Sequence, residues 1–134
     1  MDWKPEYSLG IIEIDNQHKR LLVQFTRIEE AFRQCASWTD THYLIVDLID
    51  FARFHFEFEE ALMRLFAVPT AERHGGEHRQ FFVMLQDIEQ HSLQREAEGE
   101  MIEFLRDWLK HHILGSDREY AKWILGGAPV VAGN

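Results

Sequence analysis

The chain has few of the residues that mark secreted or disordered proteins. Cys35 is the single cysteine, so no internal disulfide can form, and no charged-then-apolar leader follows Met1. Both absences favour the reducing cytoplasm as its compartment. Only three prolines occur among 134 residues, and 46% of the residues are hydrophobic, which argues against disorder and favours a packed globular domain.

Basic clusters and long apolar runs are also absent. The formal net charge is -9 at pH 7, so the surface repels phosphate, and nucleic acid and anionic membranes are poor partners. No apolar run approaches the roughly 20 residues that a membrane-spanning helix needs. We expect one domain over residues 1–134, and its charge does not exclude small neutral ligands. The protein partner and the oligomeric state stay open, and a monomer is compatible with the sequence.

Apolar residues recur at spacings of three and four along most of the chain, which indicates amphipathic helices. We predict a first helix over about 15–35 and a second that opens at Thr39 or Asp40 and is stopped by Pro69. A third runs from Thr70 to the polar stretch around Gln94, and a fourth carries Met101, bends near Gly115 and runs on to Trp123. Polar residues can cap the first three helices, namely Asp15, Thr39 or Asp40, and Thr70. The pattern predicts an all-α fold, an antiparallel up-down-up-down four-helix bundle with an irregular N-terminal arm (about 1–14) and a frayed tail (about 126–134).

Two pairs of metal-ligand side chains stand four residues apart, His55 with Glu59 and His74 with His78. On a helix such pairs project from one face with Cβ atoms roughly 6 Å apart, so both side chains can reach one ion. The first pair lies where phenylalanine alternates with polar residues, as it would in a strand. A strand would place His55 and Glu59 roughly 13 Å apart, and the flanking helical periodicity favours the helix.

Further ligand-type side chains lie on the other helices. His18 shares the apolar stripe of the first helix, His112 lies beside Leu109 on the fourth, and Asp117 follows His112 by five residues, a weaker spacing for one face. Burying five histidines with two carboxylates costs several kcal/mol unless a cation satisfies them. Seven mixed ligands exceed what tetrahedral zinc uses and suit a dinuclear iron or manganese centre.

The order of these residues resembles the signature of the hemerythrin family. It runs His18, His55-x-x-x-Glu59, His74-x-x-x-His78 and His112-x-x-x-x-Asp117, and shorter stretches also match bacterial hemerythrins: Gly10-Ile11, Ile14-Asp15-x-Gln17-His18-Lys19, His55-Phe56-x-x-Glu59-Glu60-x-x-Met63 and Trp108-Leu109-x-x-His112-Ile113. The resemblance covers nearly the whole chain.

The resemblance implies a protein that binds dioxygen reversibly at a non-haem di-iron centre and is not an enzyme. One iron would be held by His74, His78 and His112, and the other by His18 and His55. Glu59, Asp117 and an oxo or hydroxo group would bridge the two ions. An apolar oxygen pocket, which keeps water out, would be formed by Leu21, Phe56, Trp108, Leu109 and Ile113. His42, His91 and His111 match no motif position.

Three alternatives remain open at the level of the sequence. His74-Gly75-Gly76-Glu77-His78 also fits the H-x-x-E-H pattern of inverted zinc peptidases, which would leave the other candidate ligands unexplained. A di-iron redox enzyme acting on peroxide or nitric oxide could use the same residues, although such enzymes commonly use more carboxylates. A sensor or interaction module is the third alternative, and an oxygen carrier, store or local supplier remains the leading hypothesis.

Overall fold

The computed structural model describes residues 2–90 and 95–126, and all regular elements within these ranges are helical. A 3₁₀ turn, Pro5–Tyr7, precedes four long helices: α1 (Ile12–Arg33), α2 (Trp38–Leu65), α3 (Ala71–Gln90) and α4 (Arg95–His112). A π-helical turn, Ile113–Asp117, leads into α5 (Arg118–Gly126). The predicted tail beyond Gly126, His91 and the predicted end of the third helix near Gln94 lie outside the described residues.

The predicted four-helix bundle is confirmed. Helix α1 packs against α2 and α4, and α3 packs against the same two helices. Only a few residues separate the end of each long helix from the start of the next, so consecutive helices run antiparallel. Their apolar stripes meet in one continuous core, which includes Leu21, Phe25, Ile28, Leu48, Ala52, Phe81, Leu85, Ile102, Leu105 and Leu109. Among the described residues, no helix combines the length and the apolar character needed to cross a membrane.

The predicted N-cap at Asp15 is wrong, because α1 begins three residues earlier, after Ile11. The Asp15 carboxylate instead binds the N-terminal arm, accepting hydrogen bonds from the Ser8 hydroxyl (2.6 Å) and the Leu9 backbone N–H (2.8 Å). These hydrogen bonds fix the arm against the first turn of α1. The N-cap residue, Ile11, makes no side-chain cap hydrogen bond.

The start of α2 also differs from the prediction of Thr39 or Asp40. Ser37 is the N-cap, and its side chain accepts a hydrogen bond from the Asp40 backbone N–H at 3.1 Å. The alternating phenylalanines further along are helical, as predicted: Phe56 is buried, whereas Phe54 is 52% exposed. The alternation therefore reflects an aromatic surface on the helix and not a strand.

Helices α1 and α2 end in the same motif, with a non-glycine residue in the left-handed conformation. Ala67 has φ 52°, and the backbone N–H of Val68 donates to the Met63 carbonyl at 2.9 Å. Cys35 has φ 53° at the equivalent position after α1. This is the Schellman ending, in which glycine is the preferred residue because it lacks the Cβ that crowds a left-handed backbone.

Ala67→Gly is therefore expected to raise the free energy of unfolding by about 1 kcal/mol, because the strain relieved exceeds the entropy that glycine adds to the unfolded chain. Urea denaturation measures the change. Ala61→Gly is the matched control, because Ala61 is exposed inside α2 and the change should cost about 1 kcal/mol. Equal losses in both variants would contradict the prediction.

Candidate metal centre

All seven sequence-predicted ligands converge at one end of the bundle interior. They come from every long helix: His18 from α1, His55 and Glu59 from α2, His74 and His78 from α3, and His112 from α4, with Asp117 at the end of the π-helical turn. None of the seven exposes more than 5% of its surface. They form two overlapping groups of possible ligand atoms, each with its members within 4.8 Å of one another.

The first group contains three imidazoles and both carboxylates. Nε2 of His112 lies 3.0 Å from Nε2 of His74 and 3.1 Å from Nε2 of His78. Nitrogens that are each about 2.1 Å from one ion lie about 3.0 Å apart when their bonds meet at right angles, and about 3.4 Å apart in a tetrahedron. The spacing therefore fits three adjacent positions of a six-coordinate ion.

The second group contains His18, His55 and the same two carboxylates. Nε2 of His18 lies 3.2 Å from Oδ2 of Asp117 and 3.4 Å from Oε2 of Glu59. Nε2 of His55 lies 3.3 Å from Oε1 of Glu59. This group has one imidazole fewer than the first, so an ion there would have fewer protein ligands.

Glu59 and Asp117 lie between the two groups, with one oxygen of Asp117 turned towards each. Oδ1 of Asp117 is 2.8 Å from Nε2 of His74 and 3.1 Å from Nε2 of His112, whereas its Oδ2 faces His18. Oε1 of Glu59 lies 3.2 Å from Nε2 of His78 and 3.3 Å from Nε2 of His55, and its Oε2 faces His18. Both carboxylates therefore approach imidazoles of both groups, as bridging carboxylates would.

The π-helical turn explains how Asp117 reaches a histidine five residues before it. A residue five positions away is offset on an α-helix, but the i→i+5 hydrogen bonding of a π-turn brings it back over the same face. Gly115 lies within this turn, close to the predicted bend. The spacing that the sequence left ambiguous is thus resolved by a local change of helix type.

The buried polar atoms of the site lack other partners, which is the strongest sign that they are built for cations. Both nitrogens of His18, Nε2 of His55, Oε1 of Glu59 and both oxygens of Asp117 are buried without a hydrogen bond. Leaving such groups unsatisfied costs about 1–3 kcal/mol each, and more when they are charged. One or two cations bound between the imidazoles and the carboxylates would satisfy all of these atoms except Nδ1 of His18, because the His18 ring turns its Nε2 towards the carboxylates.

Electrostatics in the metal-free protein also favour a cation. Burial would lower the pKa of His18, but Asp117 and Glu59 outweigh burial and raise that pKa to about 9. Burial would raise the pKa values of Glu59 and Asp117, but the surrounding histidines hold both well below their usual range. The carboxylates are therefore charged at neutral pH and hold a proton on His18 that a metal ion would displace.

Several of the candidate ligand imidazoles form a hydrogen bond through Nδ1, the nitrogen that points away from the cluster. The partners are residues that the sequence did not identify as part of the site. Nδ1 of His55 donates to Oε1 of Gln17 at 2.7 Å, and Nδ1 of His78 donates to Oε2 of Glu60 at 3.0 Å. These hydrogen bonds fix the tautomer that leaves each Nε2 lone pair free for a metal. Gln17 and Glu60 each stand next to a predicted ligand in the sequence, but the histidines they bind lie on other helices.

Glu77 holds His112 in the same way. Its Oε2 accepts a hydrogen bond from Nδ1 of His112 at 3.1 Å, and Ser116 Oγ donates to the same carboxylate oxygen at 2.9 Å. Glu77 thus lies behind a ligand ring, away from the shared ligand atoms. It is not placed to activate a metal-bound water, which argues against the zinc-peptidase hypothesis.

Two more contacts complete the surroundings of the ligands. The Tyr120 hydroxyl is buried and donates to Oε2 of Glu59 at 2.6 Å. Gly75 lies beside Glu60, and a Cβ there would be 3.4 Å from Oε1 of that residue. A Cβ at this distance would make an ordinary van der Waals contact, and α3 continues through the Gly75-Gly76 pair.

The residues predicted to form an apolar pocket all belong to the core or pack against it. Leu21, Phe56, Leu109 and Ile113 are buried there, and Trp108 packs against them while partly exposed. Phe56 stacks on the His78 ring with centroids 4.0 Å apart, and Trp108 stacks on the His112 ring with centroids 4.8 Å apart. These two rings cover ligand imidazoles against water.

The remaining histidines in the described ranges lie outside the cluster, as the sequence predicts. His42 stacks on Trp38 with centroids 4.6 Å apart. His111 is exposed and its Nδ1 donates to the Asp107 carbonyl at 2.8 Å. Neither contacts a ligand of the site.

Comparison with known proteins agrees with the geometry of the site. Residues 9–124 match the model of the hemerythrin HHE cation binding domain. The chain is 30% identical over 125 residues to a bacteriohemerythrin of Clostridium acetobutylicum, covering 88% of this chain and 96% of that protein. It is 28% identical over 123 residues to a bacteriohemerythrin of Stenotrophomonas maltophilia (89% and 78% covered) and 30% identical over 119 residues to a hemerythrin-like protein of Naegleria gruberi (89% of each). The chain belongs to the hemerythrin family.

Proposed function

We propose that this protein binds dioxygen reversibly at a non-haem di-iron centre, as an oxygen carrier, store, local supplier or sensor. The observation that carries the proposal is the pair of overlapping ligand groups that share Glu59 and Asp117. Two irons held by these residues would together supply the two electrons that reversible capture of dioxygen requires. The two carboxylates that both groups share support this pairing.

The proposed ligands of one iron are His74, His78 and His112, and those of the other are His18 and His55. Glu59, Asp117 and an oxo or hydroxo group would bridge the two ions. The second group has fewer imidazoles, so we assign dioxygen binding to that side. Mixed imidazole and carboxylate ligation suits iron.

The apolar residues around the ligands would make the binding reversible. Leu21 follows His18 by three residues on α1, Leu109 precedes His112 by three residues on α4, and both are fully buried. A dry pocket prevents water from carrying away reduced oxygen and leaving oxidised iron behind. Leu21, Phe56, Trp108, Leu109 and Ile113 would supply this exclusion of water.

The test is anaerobic reconstitution of metal-free protein with ferrous iron, followed by exposure to air and then removal of oxygen. We expect two irons per chain and a charge-transfer absorption band that appears with oxygen and disappears without it. Iron analysis is run on the same sample. A band that cannot be reversed would contradict reversible binding, and uptake of fewer than two irons per chain would contradict a di-iron centre.

A di-iron redox enzyme is the second candidate, and Tyr120 favours it. Its phenol is oxidisable, is fully buried and donates a hydrogen bond to Glu59. Steady turnover of peroxide or nitric oxide, without a stable oxygenated form, would select this alternative.

Metal binding is expected to release about one proton per chain from His18 at pH 7, since its pKa of about 9 keeps it protonated in the metal-free protein. Burial would lower the pKa of His112, but Asp117 and Glu77 contribute to raising it, which adds to the release. A pH indicator in weakly buffered solution measures the protons on addition of Co²⁺. The release should fall by about half near pH 9. His42→Ala should leave the release unchanged, and a release that is constant from pH 6.5 to 9 would contradict the prediction.

A further inference from the structure

We propose that the two metal positions differ in affinity, that the three-histidine position fills first, and that Gln17 limits the affinity of the two-histidine position. This inference rests on the proposed metal centre. It concerns the order in which the two metal ions bind and the affinity of each position. It follows from the hydrogen-bond partner of Nδ1 in each imidazole.

The hydrogen-bond partners of the ligand rings differ between the two positions. In the three-histidine group, Nδ1 of His78 donates to the Glu60 carboxylate and Nδ1 of His112 donates to the Glu77 carboxylate, at 3.0 and 3.1 Å. In the two-histidine group, Nδ1 of His55 donates to the neutral Gln17 amide oxygen, and Nδ1 of His18 is buried without a partner.

A carboxylate behind a ligand imidazole makes the ring more basic and holds its orientation, so the ring binds a metal more tightly. A neutral amide fixes the tautomer but gives less electron density, and an unpartnered Nδ1 gives neither. The three-histidine position therefore has one more imidazole and two rings supported by carboxylates. The two-histidine position has no ring supported by a carboxylate among its hydrogen bonds.

The shared carboxylate Glu59 does not distinguish the two positions. Its Oε2, which faces His18, accepts a 2.6 Å hydrogen bond from the Tyr120 hydroxyl. Its Oε1 is buried, accepts no hydrogen bond, and lies 3.2 Å from Nε2 of His78 and 3.3 Å from Nε2 of His55, so it faces one imidazole of each group. The ranking therefore rests on the number of imidazoles in each group and on the hydrogen-bond partners of those imidazoles.

The consequence is a stable half-loaded form at low metal concentration. The ion that arrives second occupies the position to which dioxygen binding is assigned. The concentration of available metal would therefore decide whether the protein can bind dioxygen, because it controls occupation of the weaker position while the stronger position remains filled. Gln17 sets the metal concentration at which this occurs.

The experiment is a calorimetric titration of metal-free full-length protein with Co²⁺, with bound metal counted after gel filtration. We expect two steps of one ion each, separated by about tenfold or more in Kd. Gln17→Glu places a carboxylate behind His55 and should strengthen the second step by about tenfold, leaving the first within about twofold. Glu60→Gln should weaken the first step by about tenfold.

Glu57→Gln is the matched control, because it removes an exposed carboxylate from the same turn of α2 that contacts no ligand ring, and it should change neither step. Two ions taken up in one unresolved step, or equal effects of Gln17→Glu on both steps, would overturn the ranking while leaving the metal centre intact. No uptake of Co²⁺ by the unaltered protein would overturn the ranking and the metal centre together.

Discussion

Glu59→Ala is expected to lower the iron bound after reconstitution from two per chain to well below one, with a loss of affinity of about 100-fold or more. The loss is large because Glu59 serves both positions. Its Oε1 lies 3.2 Å from Nε2 of His78, and its Oε2 lies 3.4 Å from Nε2 of His18. Removing the carboxylate also removes one of the two buried negative charges that hold cations in the site.

The alanine variant also loses the acceptor of the buried Tyr120 hydroxyl, so a misfolded protein must be distinguished from an empty site. Glu59→Gln provides this control, because the amide keeps the volume of the side chain and can accept the Tyr120 hydrogen bond without the charge. We expect Glu59→Gln to keep the helical circular dichroism and to lose iron.

His42→Ala is the control for histidine content, since His42 contacts Trp38 and lies away from the cluster. Its iron content should equal that of the unaltered protein. Iron content is measured by mass spectrometry. Two irons per chain in both Glu59→Ala and His42→Ala would contradict the assignment of the ligands.

The convergence of the candidate ligands could be predicted from the sequence because their spacing follows helix geometry. His55 with Glu59 and His74 with His78 stand four apart, and the structure brings each pair into the cluster. Asp117 was the uncertain member. Its approach depends on the π-helical turn after His112, which relies on packing among α4, α5 and the rest of the bundle and has no periodicity of its own.

The residues behind the ligands were missed for a different physical reason. Gln17 binds a ring 38 positions away and Glu77 binds a ring 35 positions away, so each contact depends on how two helices are set against each other. Half-buried polar residues give no apolar periodicity. The position of each helix start is also decided by local hydrogen bonds, as at Ser37 and Asp15, which composition does not distinguish from nearby alternatives.

Removal of both metal ions is expected to lower the melting temperature at pH 7 by roughly 20–40 °C, of which each ion contributes about half. An ion that binds only the folded chain stabilises it by about 4 kcal/mol when its concentration is 1,000 times Kd. For a domain of this size each kcal/mol corresponds to roughly 3–5 °C. Differential scanning calorimetry of the protein before and after chelation measures the shift, and Glu59→Gln should show little dependence on added metal.

The difference between metal-bound and metal-free protein should also widen as the pH rises from 6.5 to 9. In the metal-free protein the pKa of His18 is raised to about 9 from 6.5, so its stabilising charge is fully present below 6.5 and is lost as the pH rises through 9. The pKa values of Glu59 and Asp117 are lowered, so both stay charged throughout this range and repel each other once His18 is neutral. Bound metal replaces the proton on His18, so the stability of the metal-bound protein does not depend on the protonation of His18. If the melting temperatures of the two forms changed by equal amounts across this pH range, His18 would not carry the charge that compensates the two carboxylates.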